Sequence, residues 1–104
     1  MDWKGKRVLV VGMARSGLAA ATALARQGAV PVINDSRSAS ALQLDLCDLH
    51  PYPYVDALGQ DPLSFLDRVD MAVVSPGVPP TVPLFAAAKK AGVPVIAEIE
   101  LGYL

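Results

Sequence analysis

Five short runs rich in valine and other apolar residues are spread along the chain, with segments of helical spacing between them. The runs occupy residues 7–11, 30–34, 54–58, 71–75 and 94–97, and the third is the weakest. Such runs, bounded by glycine, proline and polar residues, are typical of β-strands. Strands that alternate with helices favour β-α-β units. The pattern therefore predicts an α/β fold, an open parallel sheet of about five strands with helices on both faces.

Two segments have the spacing of amphipathic helices, residues 16–27 and residues 81–91. Apolar side chains share one face of each segment: Leu18, Ala21, Leu24 and Ala25 in the first, and Leu84, Phe85, Ala88 and Ala91 in the second. A glycine follows each segment, where helices commonly end. These two segments are therefore the predicted covering helices of the sheet.

The middle of the chain carries weaker signals. Residues 39–49 are predicted to form a helix with Ser38 or Ser40 as its N-cap, ended by the prolines at 51–53. Residues 61–66 are predicted to form one helical turn. Several prolines after the fourth strand predict an extended, stiff connection to the last helix.

Residues 12–17, with the sequence G-M-A-R-S-G, connect the first predicted strand to the first predicted helix. In this context a glycine-rich loop binds phosphate, because backbone N–H groups and the positive end of a helix dipole converge on one anion. Gly12 is expected to form the tight turn and Gly17 to allow close approach of helix and sheet. Arg15 and Ser16 add a cation and a hydroxyl beside the same N–H groups.

Ala14 departs from the dinucleotide-binding pattern, which has glycine at this position. Its methyl group is expected to crowd an approaching pyrophosphate. The alternative interpretation is that the glycines only close a β-to-α turn and that Arg15 is a solvated charge. A Walker A loop is excluded, since the chain contains no Gly-Lys-Ser or Gly-Lys-Thr step.

Asp35, Ser36 and Arg37 follow the second predicted strand, near the spacing at which dinucleotide-binding domains carry a ribose-binding acid. The carboxylate of Asp35 can accept hydrogen bonds from a ribose hydroxyl or a base N–H, and Arg37 can lie over a base or pair with phosphate. The alternative is an Asx turn, in which Asp35 bonds its own backbone or caps the next helix.

A third turn, Ser75-Pro76-Gly77, follows the fourth predicted strand. Proline followed by glycine builds a rigid turn and by itself indicates nothing more. However, ligands of open parallel sheets bind beyond the carboxyl ends of the strands, where all three turns fall. We therefore expect this turn to form a wall of the ligand cleft.

Composition narrows the function further. The 104 residues carry a formal net charge of −1, which argues against nucleic acid or an acidic membrane as partner, and no apolar run is long enough to span a bilayer. One cysteine and one histidine exclude a disulfide framework and argue against a zinc site. No catalytic constellation is visible, so the spacing predicts a nucleotide-binding module without its own chemistry.

Four segments resemble the N-terminal domain of Mur ligases, and within that family the enzymes that add D-glutamate. They are G-K-R-V-L-V-V-G-x-x-x-S-G at 5–17, D-S-R at 35–37, S-P-G-V-P at 75–79 and V-I-x-E-I-E-L at 95–101. The resemblance covers essentially the whole chain. It implies a Rossmann-like fold that holds the UDP portion of UDP-N-acetylmuramoyl-L-alanine. The family commonly has glycine where this chain has Ala14.

The resemblance also implies roles for residues and for absent parts of the protein. Arg15 and Ser16 would meet the diphosphate, residues 35–37 would surround the uridine, and residues 75–77 would line the other wall. Mur ligases are cytoplasmic enzymes of peptidoglycan precursor synthesis that activate a carboxylate as an acyl phosphate with ATP and Mg. Residues 1–104 would be the first of three domains, inactive without the central and C-terminal domains and needing no cofactor itself.

Two other classes of function stay open at this point. Asp35, at the position of a ribose acceptor, favours an NAD(H)-binding Rossmann domain of a dehydrogenase or sensor, whereas Ala14 and the Ser-Pro-Gly turn argue against it. A non-enzymatic interaction module is the third possibility, but no apolar surface motif in the sequence supports it.

Overall fold

Five strands form the centre of the molecule, as the hydrophobic pattern predicts. A computed structural model describes residues 3–13, 15–42, 46–74 and 83–97, with the backbone alone at residues 15, 16 and 39. The strands are β1 (Arg7–Val11), β2 (Val30–Asp35), β3 (Val55–Leu58), β4 (Met71–Val74) and β5 (Val95–Ala97). All neighbours pair in parallel, in the order β3-β2-β1-β4-β5. The predicted open parallel sheet is confirmed.

Helices connect the strands. They are α1 (Arg15–Arg26), α2 (Ala39–Leu42) and α3 (Pro83–Ala91), and a 3₁₀ segment spans Pro62–Arg68. Proline suits the first position of α3, since the N–H that it lacks would have no partner within the helix. In the described part of the chain, no helix has the length and apolar character needed to cross a membrane.

The prediction of a helix over residues 39–49 is wrong for residues 46–49. The structure describes α2 over Ala39–Leu42, and residues 43–45 lie outside the described residues. Residues 47–50 form a turn in which the amides of Leu49 and His50 both donate to the Leu46 carbonyl at 2.9 Å. Pro51 disfavours helical backbone at the residue before it. Leu49 is also fully buried against the sheet, so tertiary packing fixes this segment. Ser38 is the predicted cap of α2, and its Oγ accepts from the Ala41 amide at 3.2 Å.

Each face of the sheet has its own core because successive strand residues point to opposite sides. On one face Val8, Val10 and Ile33 pack with the apolar stripe of α1, and Trp3 closes the end of this cluster. On the other face Leu9 packs with residues of α3 and the 3₁₀ segment. Both predicted stripes are therefore inward-facing, except that Ala91 at the end of α3 is exposed.

The strand order fixes where the chain changes direction across the sheet. From β1 the chain moves outward through β2 to β3, and then returns to the opposite side of β1 for β4 and β5. Open α/β sheets bind ligands at this switch point, beyond the carboxyl ends of the central strands. The loops after β1 and β2 lie at that edge.

Candidate functional site at the carboxyl edge of the sheet

The glycine loop after β1 is shaped by backbone contact. Gly12 has a φ of +92°, in the left-handed region that favours glycine. A Cβ atom at Gly17 would lie 1.8 Å from the Gly12 carbonyl oxygen, so no side chain fits at this position. The Gly12 amide donates to the Asn34 carbonyl at 2.9 Å, which ties the loop to the end of β2. These contacts explain the two glycines, one for the turn and one for the close approach of α1.

The first turn of α1 begins at Arg15, directly beyond this loop. Its free N–H groups and the positive end of the helix dipole face the carboxyl edge, an arrangement that suits an anion. Ala14 lies outside the described residues, and so do the side chains of Arg15 and Ser16. The predicted contacts of these three residues stay predictions.

Asp35 ends β2, and its carboxylate joins the two turns. The residue is only 6% exposed. Its Oδ2 accepts from the Met13 amide at 2.9 Å and from Arg37 Nη2 at 3.2 Å. Its Oδ1 accepts from the Arg37 amide at 2.9 Å and from Arg37 Nε at 3.0 Å. The Met13 bond joins two loops that are 22 residues apart in sequence, so this side chain adds a second tie to the bond between Gly12 and Asn34.

These bonds hold Asp35 in its charged form. The Arg37 guanidinium beside it, helped by the two backbone amides, lowers the pKa of Asp35 to about 2 against the opposing effect of burial. The same pair raises the pKa of Arg37. The site therefore contains an ion pair that stays intact over the whole neutral range.

The four donors around Asp35 test the two interpretations of this residue from the sequence, a ligand-binding carboxylate and an Asx turn. The bond from the Arg37 amide is an Asx turn, so the carboxylate does bond its own local backbone. A carboxylate offers about four acceptor positions, and here each oxygen already accepts two bonds. A ligand that bonds Asp35 must displace one of these donors. In this arrangement the carboxylate orients Arg37, whose side chain is 56% exposed.

A cavity of about 620 Å³ opens beside this ion pair, and we call it the edge cavity. It brings together Gly12 with Asp35, Ser36 and Arg37, which the sequence predicted for one site. It also has a wall that the sequence analysis missed, made by residues after β3 and at the start of α3. These residues are Gly59, Gln60, Asp61, Pro62, Leu63, Pro83 and Leu84, with Val11 and Asn34 at the strand ends.

The missed wall has only a weak sequence signal. Gly59 follows a short strand, and Asp61 precedes Pro62 as a helix cap would, accepting from the Leu63 amide at 3.0 Å. Both features indicate a turn and a cap but no ligand. Residues 75–77, the wall predicted from the sequence, lie outside the described residues. Among the residues that are described, no cluster of three acidic, histidine or cysteine side chains is arranged to hold a metal ion.

Comparison with known proteins gives one consistent family. Residues 6–97 match the model of the Mur ligase MurD-like N-terminal domain. The UDP-N-acetylmuramoylalanine–D-glutamate ligase of Acidobacterium capsulatum is 46% identical over 97% of this chain, and that of Exiguobacterium sibiricum is 43% identical over 94%. The chain spans only 22% and 21% of these two relatives, about a fifth of each.

Two solved structures share the fold at low sequence identity. Shikimate dehydrogenase from Aquifex aeolicus superposes with a TM-score of 0.63 at 18% identity, covering 96% of this chain and 45% of that one. A pseudomurein peptide ligase type C from Methanothermus fervidus gives a TM-score of 0.62 at 20% identity, covering 92% of this chain and 19% of that one. Both likenesses show a Rossmann-like fold.

Proposed function

The chain belongs to the MurD-like N-terminal domain family of the Mur ligases, and on that premise we propose that it binds the UDP portion of UDP-N-acetylmuramoyl-L-alanine. One observation carries the proposal. The edge cavity joins the turn after β1 to the turn after β2, with the N-terminus of α1 beside them. A nucleoside diphosphate needs such a pair of subsites, an anion site and an adjoining pocket for a base.

The diphosphate is assigned to the N-terminus of α1. Free backbone N–H groups and the helix dipole favour negative charge there. Arg15 and Ser16, the first two residues of the helix, would add a cation and a hydroxyl to these N–H groups. The methyl group of Ala14 is expected to crowd a dinucleotide at this loop, and UDP would tolerate it if it does not lie across the loop in the usual manner.

The uridine is assigned to the edge cavity. Asp35 holds the Arg37 guanidinium by two side-chain bonds, and a guanidinium plane fixed in this way can stack on a base. Ser36 is exposed at the same edge and offers backbone and hydroxyl groups to the uracil. Residues 75–77 would complete the pocket from the end of β4. Asp35 thus contributes by orienting Arg37 and, where one donor is displaced, by direct bonding.

The remaining steps belong to parts of the protein beyond this chain. We propose that the complete protein is an ATP-dependent ligase that joins D-glutamate to the substrate in cytoplasmic peptidoglycan precursor synthesis. ATP and Mg would be held by its central domain, and the 104-residue chain would bind substrate without catalysing the reaction. Its partners would be the substrate and the other two domains.

An NAD(H)-binding domain is the second candidate, favoured by an acid at the end of β2 and by the fold shared with a dehydrogenase. In NAD-binding domains that acid accepts the ribose hydroxyls. Here the acceptor positions of Asp35 are filled by Met13 and Arg37, which disfavours that role.

Titration calorimetry of the 104-residue chain separates the two candidates. We expect UDP and UDP-N-acetylmuramoyl-L-alanine to bind and NADH not to bind. Arg37→Ala should weaken both uridine ligands, whereas Arg68→Ala, which removes an exposed arginine of the 3₁₀ segment, should leave them unchanged. Absence of any heat with millimolar UDP, together with binding of NADH, would overturn the proposal.

A further inference from the structure

Asn34, the residue before Asp35, is a buried polar side chain that the assignments above do not use. It is 1% exposed and lies near the carboxyl end of β2, opposite Val11 of β1 and Ala57 of β3. Its Nδ2 donates two hydrogen bonds of 2.9 Å, to the carbonyl oxygens of Ala57 and Gln60. Both N–H groups of the amide are therefore used.

The two acceptors are the ends of one turn, the Ala57–Gln60 turn, which leads from β3 to the 3₁₀ segment. The turn's own closing bond, from the Gln60 amide to the Ala57 carbonyl, is long at 3.3 Å. A further bond comes from β2, since the Gly59 amide donates to the Asp35 carbonyl at 2.8 Å. The turn is thus held chiefly by β2, through one backbone bond and the two bonds of Asn34.

This turn forms the wall of the edge cavity that faces the ion pair. Gly59 and Gln60 line the cavity together with Ser36 and Arg37, and the 3₁₀ segment continues the wall. A movement of the turn away from β2 would widen the cavity and remove the wall from a bound base. We propose that Asn34 is a positioning residue, whose amide holds the Ala57–Gln60 turn at the distance that a uridine diphosphate requires. This inference rests on the proposed function of the cavity.

The two bonds to the Ala57 and Gln60 carbonyls need a side chain of this length that ends in two N–H donors. Leucine has nearly the same shape but no donor, so it would leave the carbonyl oxygens of Ala57 and Gln60 without these bonds. Aspartate would place carboxylate oxygens against the same carbonyls and push the turn outward. Both changes alter only the side chain, so the Asn34 carbonyl can still accept from the Gly12 amide.

The test compares Asn34→Leu and Asn34→Asp with Ile33→Val in the 104-residue chain. Ile33 precedes Asn34 on β2 and is fully buried in the core on the other face, so its truncation weakens the fold without touching the turn. Two quantities are measured for each variant: the UDP dissociation constant by calorimetry, and hydrogen exchange of the Gly59 amide relative to the amides of β1.

We expect both Asn34 variants to bind UDP about tenfold or more weakly and to exchange the Gly59 amide faster relative to β1, as loss of one buried and one part-buried bond implies. Ile33→Val should change UDP affinity by less than about twofold and leave the relative exchange unchanged. A purely structural role would make all three variants alike once the folded fraction is taken into account.

The outcomes separate the two proposals. If wild type binds UDP and the Asn34 variants bind it like Ile33→Val, the positioning role is wrong and the proposed function stands. If wild type does not bind UDP, the proposed function is wrong, and the ligand-related role of Asn34 is overturned with it. If the Gly59 amide exchanges normally in the Asn34 variants, the turn is not held by Asn34, whatever binds in the cavity.

A second variant covers the case in which the Asn34 variants do not fold. Gly59→Ala strains the turn at its φ of +76°, yet its new Cβ would come no nearer than 4.0 Å to Ser38, so the strain stays local. It should also weaken UDP binding several-fold. Unchanged affinity in a folded Gly59→Ala chain contradicts the claim that the position of this turn sets affinity.

Discussion

Two neighbouring turns at the carboxyl edge are held in place by different physical means. The loop after β1 depends on the absence of side chains, since helix α1 approaches so closely that Gly17 has no room for a Cβ atom. The turn after β2 depends on a polar side chain, since the carboxylate of Asp35 accepts four bonds from N–H groups. Steric fit does not depend on pH, whereas the stability that an ion pair contributes does depend on it. The two turns should therefore fail in different ways.

The largest expected effect is in the first turn. Gly17→Ala places a Cβ atom 1.8 Å from the Gly12 carbonyl oxygen, so the helix or the loop must move. We expect a loss of about 3 kcal/mol in the free energy of unfolding, equal at about pH 3 and pH 7. Denaturant unfolding followed by emission of Trp3, the single tryptophan and a buried one, measures it.

Gly92→Ala is the matched control for that change. Gly92 also has a positive φ, +75°, but a Cβ atom added there would meet no other atom within 4 Å, so only backbone strain of about 1 kcal/mol is expected. If Gly17→Ala costs no more than Gly92→Ala, close packing does not shape the glycine loop.

The second effect concerns the ion pair. Asp35→Asn keeps the shape of the side chain but removes the negative charge that accepts bonds from Arg37 and from the Met13 amide. We expect it to lower the free energy of unfolding by about 2 kcal/mol at neutral pH. The pKa of Asp35 is lowered to about 2 from the usual 3.8, so its contribution is fully present above the usual value and is lost as pH falls toward 2. Wild type should therefore lose stability between about pH 5 and pH 2 by an amount that Asp35→Asn does not lose.

Asp67→Asn controls for the general effect of removing an acid. Asp67 is 79% exposed and lies 3.9 Å from Arg68, a pair that contributes little in water. It should change neither the stability nor its pH dependence. Equal pH profiles for wild type and Asp35→Asn would show that the polar network does not hold the second turn.

The third effect concerns Arg37, and it distinguishes the orientation of the guanidinium from its charge as the cause of UDP binding. Arg37→Lys keeps a positive charge but lacks the planar guanidinium fork that pairs with Asp35 and presents a flat face. We expect about tenfold weaker UDP binding, with little change in the unfolding curve because the side chain is exposed. Calorimetry at two salt concentrations measures this. A lysine variant that binds UDP normally would show that charge alone is sufficient.

The smallest effect lies in the wall across the cavity. Asp61→Ala removes the cap that accepts from the Leu63 amide at the start of the 3₁₀ segment, and we expect a loss of about 0.5–1 kcal/mol. Thermal unfolding measures it, with Asp67→Ala, which removes an exposed acid inside the segment rather than its cap, as control. An equal loss in both variants would mean that the cap does not stabilise this wall.

The difference between a loop shaped by glycines and a turn held by polar side chains also determines how much of the structure the sequence could predict. The strands, α1, α3 and the role of Gly12 and Gly17 follow from local patterns, and Asp35, Ser36 and Arg37 do lie at one cavity with Gly12. The bond between Asp35 and Met13 and those of Asn34 to the Ala57–Gln60 turn join residues 22 to 26 positions apart, which no local pattern encodes. The helix predicted to Leu49 failed for a related reason, because that leucine is buried by tertiary packing.

Amide chemical shifts of the 104-residue chain during titration with UDP test the central claim most directly. The claim predicts shifts concentrated at the carboxyl edge, at Gly12, Met13, Ser36, Arg37 and Gly59, while the amides of Lys6, Asp70 and Gly92 at the opposite edge stay unchanged. NADH should produce no such pattern. Shifts at the opposite edge, or none at millimolar UDP, would contradict the account.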